Sequence, residues 1–468
     1  MIPSDYGSRK QSNNRRRPRP LTLGNNSPSS HPDALRAHFT FGLPNDTISL
    51  FAGPIDFTQE GKCFRADGSV YLAWLPSPTI RFEVPNAPGG VYPDLKDLSF
   101  RLNDGTAVSH ASVTGLKVSS EAVSASFSGI VGERVTRPAD GTVNHVLFLL
   151  PNFQHRLIGK PLRYPDGSGR ASRLTLRGGG WLITLDAVED QKTIGEILDA
   201  RSGFGITHVG RLEKEDGNSF RVEDAHVILD ALAWYASFAA GRWTGPCLPA
   251  GFDAGGNQVW QVWSSSRTVP FRKRRTWLDS NHGEQFETPF PGFLKLWLDE
   301  DWEEVIRVAI HWYVEANAQA GSIEGSIVQT QTAFELLSSA VLVEHYGWLS
   351  TDGYEKLAAA DRIRLLFRWV GIPTAIPAKL ADLTRQAKAD NWPDTPTAMT
   401  MIRNTITHPT KKNREKFGKH LKGARTDVWT LGLWSLELCL LRLFEYRGSY
   451  GNRITQQWCG EIEKVPWG

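Results

Sequence analysis

The sequence predicts an α+β protein, in which a β-rich N-terminal region is followed by a C-terminal helical bundle. Two observations support this prediction. Before about residue 293, short segments of β-branched and aromatic residues alternate with Gly, Pro, Asp and Asn, as is typical of strands and turns. After that point, apolar residues recur at helical spacing, and short connections separate the segments, as in a helical bundle.

Length, charge and cysteine content limit the classes of protein that the sequence fits. The chain has 468 residues and a formal net charge of +3, so it is long enough for two or three domains, and its overall charge does not indicate nucleic-acid binding. The four cysteines are far apart, which argues against a zinc knuckle or a dense disulfide framework. No apolar segment follows the N-terminal arginines, and the most apolar runs carry charged residues. We therefore expect a cytoplasmic protein that does not enter a membrane.

Residues 1–34 are predicted to form a disordered basic tail. They combine the arginine-rich run RKQSNNRRRPRP with the polar run NNSPSSHP. Such a composition offers too little apolar surface to offset the entropy lost on ordering. The arginines could contact RNA or DNA, although a solvated tail is the more frequent use of such a segment.

Residues 35–293 make up the β-rich region, for which the sequence predicts a sandwich or a partly open barrel with a helical insertion. Segments such as SVYLAW, TIRFEV and NHVLFLL indicate strands, and SRLTLRGGGWLITL indicates two strands joined through glycines. The insertion is predicted at about Glu223 to Ala240, where apolar residues follow helical spacing. The chain contains no phosphate-binding loop, HExxH or GxSxG motif, so we predict neither a metal nor a cofactor.

Residues 294–453 are predicted to form the helical bundle, and residues 454–468 a C-terminal tail. One helix should begin at Ser322 and end at Gly347, because serine and glycine are frequent helix-terminus residues. The segment TPTAMTMIRNTITHP predicts a helix that ends before Pro409, since proline disfavours helical geometry in the residue that precedes it. A long final helix is predicted in RTDVWTLGLWSLELCLLRLFEYRG.

The end of the penultimate helix carries the candidate catalytic residues Arg403, Asn404 and His408. On a regular helix, Arg403 and His408 would point about 140° apart, but a non-helical backbone at His408 could bring the imidazole back toward the arginine. Arginine can bind phosphate oxygens, histidine can transfer protons near neutral pH, and asparagine can bind phosphate or orient the histidine. Metal-independent RNA cleavage needs such groups. Taken alone, the same residues also fit an ordinary helix end, where a cation and a capping residue only add stability.

In the context of a helical bundle, RNTITH resembles the R-x(4–6)-H motif of the HEPN family (higher eukaryotes and prokaryotes nucleotide-binding domains). QTQTAFELL is similar to the first core helices of that family, with Glu335 at the acidic position, and LELCLLRLFEYRGSYGNR is similar to the version in ApeA-type anti-phage proteins. The resemblance covers about residues 301–453. It implies a HEPN-like bundle and a homodimeric endoribonuclease that leaves a 2′,3′-cyclic phosphate and acts in abortive infection. Arg403, Asn404 and His408 would be catalytic, and Glu335 would support Arg403.

A basic segment, KKNREKFGKHLKGAR, follows the motif and supplies candidate RNA-binding residues: Lys411, Lys412, Arg414, Lys416 and Lys419. A solvated loop would have the same composition. Because a free RNase would be toxic to its own cell, we expect the β-rich region to act as a sensor that binds a phage-derived trigger. The alternative, from another class of protein, is a non-catalytic RNA- or nucleotide-binding module whose bundle serves assembly.

Overall fold

The structure is a computed structural model that describes residues 31–88, 98–118, 124–132, 134–137, 142–153, 156–264, 266–318, 322–408, 410, 411, 413, 415, 418 and 421–468. Within these residues, β-strands predominate in the N-terminal part and helices in the C-terminal part, which confirms the α+β class. The predicted basic tail lies outside the described residues, apart from its last four positions. There, Asp33 pairs with Arg163 at 2.6 Å, and the backbone N–H of Ala34 donates to the carbonyl of Arg163.

The first six strands form a closed antiparallel barrel in the order β1-β2-β3-β6-β5-β4. The strands are β1 (Ile48–Gln59), β2 (Lys62–Ala73), β3 (Thr79–Pro88), β4 (Leu98–Leu102), β5 (Ala107–Val118) and β6 (Ser124–Val131). Phenylalanines fill the interior; the ring of Phe57 lies 5.5 Å from that of Phe100 and 5.3 Å from that of Phe127. Gly129 is needed on β6, because a Cβ atom there would lie 2.2 Å from the carbonyl oxygen of Ser112.

The next eight strands form a second antiparallel sheet in the order β7-β14-β13-β8-β12-β11-β10-β9. They are β7 (Val135–Arg137), β8 (His145–Pro151), β9 (Lys160–Arg163), β10 (Gly169–Gly178), β11 (Trp181–Ala187), β12 (Ile206–Lys214), β13 (Cys247–Phe252) and β14 (Gln258–Trp263). The predicted hairpin of β10 and β11 is confirmed; Gly179 and Gly180 join the strands with φ values of +55° and +76°.

Two details of the β-rich region differ from the prediction. The barrel is closed rather than partly open, because β1 pairs with β4, and a separate sheet accompanies it. The described residues of the region also form two longer helices rather than one, α1 (Gln191–Arg201) and α2 (Val222–Ala240). The second matches the predicted insertion. The first buries only Ile194, Gly195 and Leu198, so its apolar signal in the sequence is weak.

The C-terminal helices are α3 (Glu284–Glu287), α4 (Phe290–Trp297), α5 (Glu303–Ala318), α6 (Ile323–Ser339), α7 (Thr351–Glu355), α8 (Ala359–Val370), α9 (Ala381–Asp390), α10 (Thr395–Thr407) and α11 (Lys422–Leu443). A π-helical segment, Ala340–His345, extends α6. The predicted start of α6 is confirmed, since the side chain of Ser322 accepts a hydrogen bond from the N–H of Gly325. α6 contacts α5, α8, α10 and α11, which makes it the central helix of this part.

The eight-stranded sheet lies between the barrel and the helices. One of its faces shares a hydrophobic core with α2 and the C-terminal helices, and the other shares a core with the barrel. In the first core, Phe293 of α4 lies 4.9 Å from the ring of Tyr235 on α2 and 5.4 Å from that of Phe444. The domain boundary expected near residue 293 therefore falls inside one continuous core.

The last residues, predicted as a tail, fold back onto the helices. β15 (Ser449–Tyr450) pairs with β16 (Glu463–Lys464), and Val465 is buried. Among the described residues, no helix is both long enough and apolar enough to span a membrane.

Candidate functional site

The helix α10 positions the three candidate catalytic residues near its C-terminal end. Its first turn is capped by Asp394, whose side chain accepts a hydrogen bond from the N–H of Thr397 at 3.0 Å. The helix ends at Thr407, and His408 has φ −115° and ψ 78°, which are not helical values. The predicted effect of Pro409 on the geometry of His408 is thus confirmed. The N–H of His408 still donates to the carbonyl of Asn404 at 3.0 Å, so its backbone is held to the last turn.

Arg403 connects α10 to the central helix α6. Its Nη2 lies 3.7 Å from Oε1 of Glu335, and its Nη1 donates to Oδ1 of Asn404 at 3.2 Å. On α6, Nε2 of Gln331 donates to the same carboxylate oxygen of Glu335 at 3.2 Å. Four side chains from two helices therefore form one polar cluster, in which Glu335 lies between Arg403 and Gln331.

The cluster is only partly shielded from solvent. The side chains of Arg403 and Glu335 keep 25% and 33% of their exposure, respectively. The Nε atom of Arg403 is buried and has no hydrogen-bond partner among the described residues. His408, in contrast, is exposed at the helix end. The Arg403 guanidinium is therefore partly accessible to solvent, and His408 is exposed at the end of the same helix.

A second layer of contacts holds the turn of α6 that carries Glu335. The hydroxyl of Tyr354 on α7 donates to the carbonyl of Glu335 at 3.0 Å and lies 2.6 Å from Oγ of Ser338. The sequence analysis did not select Gln331 or Tyr354. Gln331 could have been found, since it lies one helical turn before Glu335. Tyr354 could not, because only the packing of α7 brings it there.

The basic segment after α10 is described only in part. Lys411 is exposed and lies three residues after His408 in the sequence. The other candidate RNA-binding residues, Lys412, Arg414, Lys416 and Lys419, lie outside the described residues. At the end of the segment, Arg425 pairs with Glu324 on α6 at 2.5 Å, so its charge is used within the fold.

The arrangement suits an extended substrate better than an enclosed small molecule. A cavity of about 460 Å³ exists in the structure, but Arg403, Glu335 and His408 do not line it. Within the described residues, no group of three or more His, Cys, Asp and Glu side chains is placed to hold a metal ion. Chemically, the site contains a guanidinium, a group that can bind phosphate, and an exposed imidazole, a group that can transfer protons near neutral pH.

Comparisons with known proteins identify relatives of the chain. Residues 138–274 match the YopA central domain, and residues 299–464 match the YopA C-terminal domain. The SPbeta prophage-derived uncharacterized protein YopA of Bacillus subtilis (strain 168) is 27% identical over 450 residues, covering 93% of this chain and 98% of that protein. No solved structure matches the chain. None of these matches names the HEPN family. The chain is therefore similar to YopA along almost its whole length, with matches to the central and C-terminal YopA domains in that order.

Proposed function

We propose that the chain is a metal-independent endoribonuclease of the HEPN type that acts in anti-phage defence within the cytoplasm. One observation carries the proposal: Arg403, which lies 3.7 Å from Glu335 of α6, occupies the last turns of α10, and the same helix ends at the non-helical, exposed His408. The family resemblance of RNTITH predicts a phosphate-binding arginine and a proton-transferring histidine at these two positions. The fold is consistent with this, since both residues lie at one end of a helix that packs on the central helix of the bundle.

In the proposed reaction, the 2′-oxygen of a ribose attacks the adjacent phosphorus, and the bond from phosphorus to the 5′-oxygen breaks. A histidine takes the 2′-hydroxyl proton, and a second group donates a proton to the departing 5′-oxygen. Arg403 stabilises the negative charge that develops on the phosphate. The products are a 2′,3′-cyclic phosphate and a free 5′-hydroxyl.

The need for both a base and an acid explains why the proposal includes a homodimer. Each chain supplies one His408 to the site. Two chains related by a two-fold axis would place two histidines and two arginines around one phosphate. The exposure of His408 leaves its imidazole accessible to such a partner and to RNA.

The geometry of the Arg403–Glu335 pair allows the arginine to change partners. The pair is separated by 3.7 Å, and both side chains keep at least a quarter of their exposure, so the net gain from it is about 0–1 kcal/mol. A phosphate can accept two hydrogen bonds from one guanidinium, which is a stronger contact. Glu335 can thus hold Arg403 in place before RNA binds without competing strongly afterwards.

The similarity to a prophage-derived protein is compatible with a role in defence. A resident prophage would benefit from an RNase that arrests growth when a second phage infects the same cell. In this proposal, the β-rich region binds a phage-derived trigger. The barrel shares a core with the face of the sheet away from the helices, so a trigger could bind the barrel without covering Arg403 or His408. To change activity, the trigger must bind the resting and active states with different free energies.

A second candidate function is a non-catalytic RNA- or nucleotide-binding module that serves assembly. The observation that favours it is the engagement of Arg403 by both Glu335 and Asn404 within a single chain. A structural ion pair between two helices would have the same geometry. This candidate predicts RNA binding without cleavage.

Cleavage of a labelled RNA by the full-length protein, in the presence of EDTA, distinguishes the two candidates. The His408→Ala variant should cleave at least about 10²-fold more slowly than the unaltered protein. His345→Ala is the matched control, because His345 is another exposed histidine of the same helical part. Products that end in a 2′,3′-cyclic phosphate would support the RNase. An RNA gel shift without cleavage, with and without lysate from infected cells, would support the binding module instead.

A further inference from the structure

A cavity of about 460 Å³ lies between two segments of the chain. The first, residues 271–280, connects the eight-stranded sheet to the C-terminal helices, and the second, residues 456–459, belongs to the C-terminal segment; together they contribute most of the lining. The lining is strongly basic and contains the cations Arg156, Arg242, Lys273, Arg274 and Arg275. Two acidic residues, Asp199 and Asp279, also line it, so cations outnumber carboxylates.

Both carboxylates already have partners. Asp199 forms an ion pair with Arg156 at 2.7 Å. Asp279 accepts hydrogen bonds from Nε2 of Gln456 at 2.9 Å and from the N–H of Gly460 at 2.7 Å. These bonds tie Asp279 to the C-terminal segment, so it shapes the cavity wall.

Arg242 is the most informative residue of the cavity, because it is 3% exposed and forms no ion pair with a described carboxylate. Its Nη2 donates to the carbonyl of Asn152 at 2.6 Å, and the guanidinium lies 4.4 Å from the centre of the Phe271 ring. Its Nε has no hydrogen-bond partner in the described part of the chain. Burial lowers the pKa of Arg242 to about 9; the nearby charge of Arg274 also lowers it, and the charge of Asp199 raises it. A buried cation without a direct ion pair is costly, and a bound anion would offset that cost.

Two more arginines are fixed beside it. Nη2 of Arg274 donates to the carbonyl of Ala318 at 3.0 Å, and Nη2 of Arg275 donates to the carbonyl of Gln456. Burial lowers the pKa of both guanidinium groups, with smaller contributions from neighbouring arginines. Carbonyl oxygens orient these side chains but do not neutralise their charges. The cavity therefore presents preorganised donors to an anion.

We propose that this cavity binds a nucleotide, with its phosphates on Arg242, Lys273 and Arg274 and its base against Trp458. The volume lies within the range of small-molecule sites. Trp458 is 66% exposed and lines the cavity, so its indole is available for a base to stack on. The arginines supply the phosphate contacts. This site does not depend on the proposed RNase activity, because neither Arg403 nor His408 lines it.

The inference is tested by isothermal titration of the full-length protein with ATP, inorganic pyrophosphate and adenosine at low salt. We expect ATP to bind most tightly, pyrophosphate less tightly and adenosine not measurably. Trp458→Ala should reduce the affinity for ATP toward that for pyrophosphate. Arg274→Gln and Lys273→Ala should each weaken the binding of both by at least about tenfold, as expected for the loss of a charged contact.

The matched control is Arg385→Ala, because Arg385 is an exposed arginine that pairs with Asp382 away from the cavity. Arg274→Gln and Lys273→Ala leave the buried Arg242 in place, so the test does not depend on a substitution in the core. The inference is overturned if neither ATP nor pyrophosphate binds, or if Arg274→Gln and Lys273→Ala bind both as the unaltered protein does. Equal affinity for ATP and pyrophosphate would overturn the assignment of a nucleotide.

Discussion

Arg403 of α10 and Glu335 of α6 form an ion pair with 3.7 Å between Nη2 and Oε1. A tighter ion pair joins α6 to α11. That second pair is Arg425 with Glu324, at 2.5 Å. Both arginines are partly exposed, and both glutamates lie on α6. The two pairs differ in one respect that matters for function, since only Arg403 lies in the Arg-His motif.

Replacement of the two arginines should therefore separate stability from activity. We expect Arg403→Ala and Arg425→Ala each to change the free energy of unfolding by about 1 kcal/mol or less, because the pairs are partly exposed. Only Arg403→Ala should reduce the rate of RNA cleavage, by about 10²–10³-fold, because the negative charge on the phosphate is no longer stabilised. Urea unfolding and cleavage assays on both variants measure this. Equal loss of cleavage in the two variants would show that Arg403 acts through the fold alone.

The proposed active site, which is built from Arg403 and His408 of two chains, predicts a dimer in which each chain needs the other for activity. In light scattering, the protein should have about twice the chain mass of 52.1 kDa. When Arg403→Ala and His408→Ala chains are co-expressed with different tags, the isolated heterodimer should not regain normal activity, because each site needs both pairs. A monomer with full activity, or a heterodimer as active as the unaltered protein, contradicts the composite site.

The buried pair of Arg453 and Glu437 should be essential for stability. Its atoms lie 2.5 Å apart, its side chains are 5% and 0% exposed, and the hydroxyl of Tyr313 also donates to Glu437 at 2.6 Å. Glu437→Ala would leave a buried arginine unpaired, so we expect a loss of roughly 3–5 kcal/mol in the free energy of unfolding. Glu445→Ala, which removes the exposed partner of Lys295, is the control and should have no measurable effect. Similar unfolding midpoints for the two variants would refute this prediction.

The continuous core predicts that the helical part cannot be isolated. A fragment that begins at Pro291 keeps Phe293 and Phe444 but loses their partner Tyr235 and the sheet below it. We expect this fragment to lack a cooperative unfolding transition in calorimetry, because its sheet-facing apolar surface would be exposed. The control is the full chain under the same conditions. A fragment with a sharp transition would show that the bundle is an independent domain.

Burial of histidines in the β-rich region predicts loss of stability in mild acid. The pKa of His226 is lowered from 6.5, first by burial and then by the charge of Arg134, and burial also lowers the pKa of His145. Below about pH 6.5, the unfolded chain therefore binds more protons than the folded chain, so stability falls as the pH decreases through that value. Urea unfolding at several pH values between about 5.5 and 7.5 measures the slope. The slope should be smaller in His226→Gln; an unchanged slope would contradict the assignment to His226.

The sequence by itself determined the features that depend on neighbouring residues. Ser322 and Gly347 predict the ends of the segment that begins with α6, and Pro409 predicts the non-helical geometry of His408. Glycines predict the hairpin of β10 and β11. Helix capping, proline sterics and left-handed turns act within a few residues. A short segment of sequence is therefore enough to predict these helix ends and this turn.

Only the tertiary structure decided the features that depend on distant pairs of residues. The closure of the barrel requires β1 to pair with β4, and the support of Arg403 requires α6 and α10 to pack side by side. The basic cavity brings together Arg242, Arg274 and Trp458, which local periodicity does not relate. Such contacts form only when apolar faces from separate parts of the chain are buried together, because that burial, rather than local preference, brings the elements into contact.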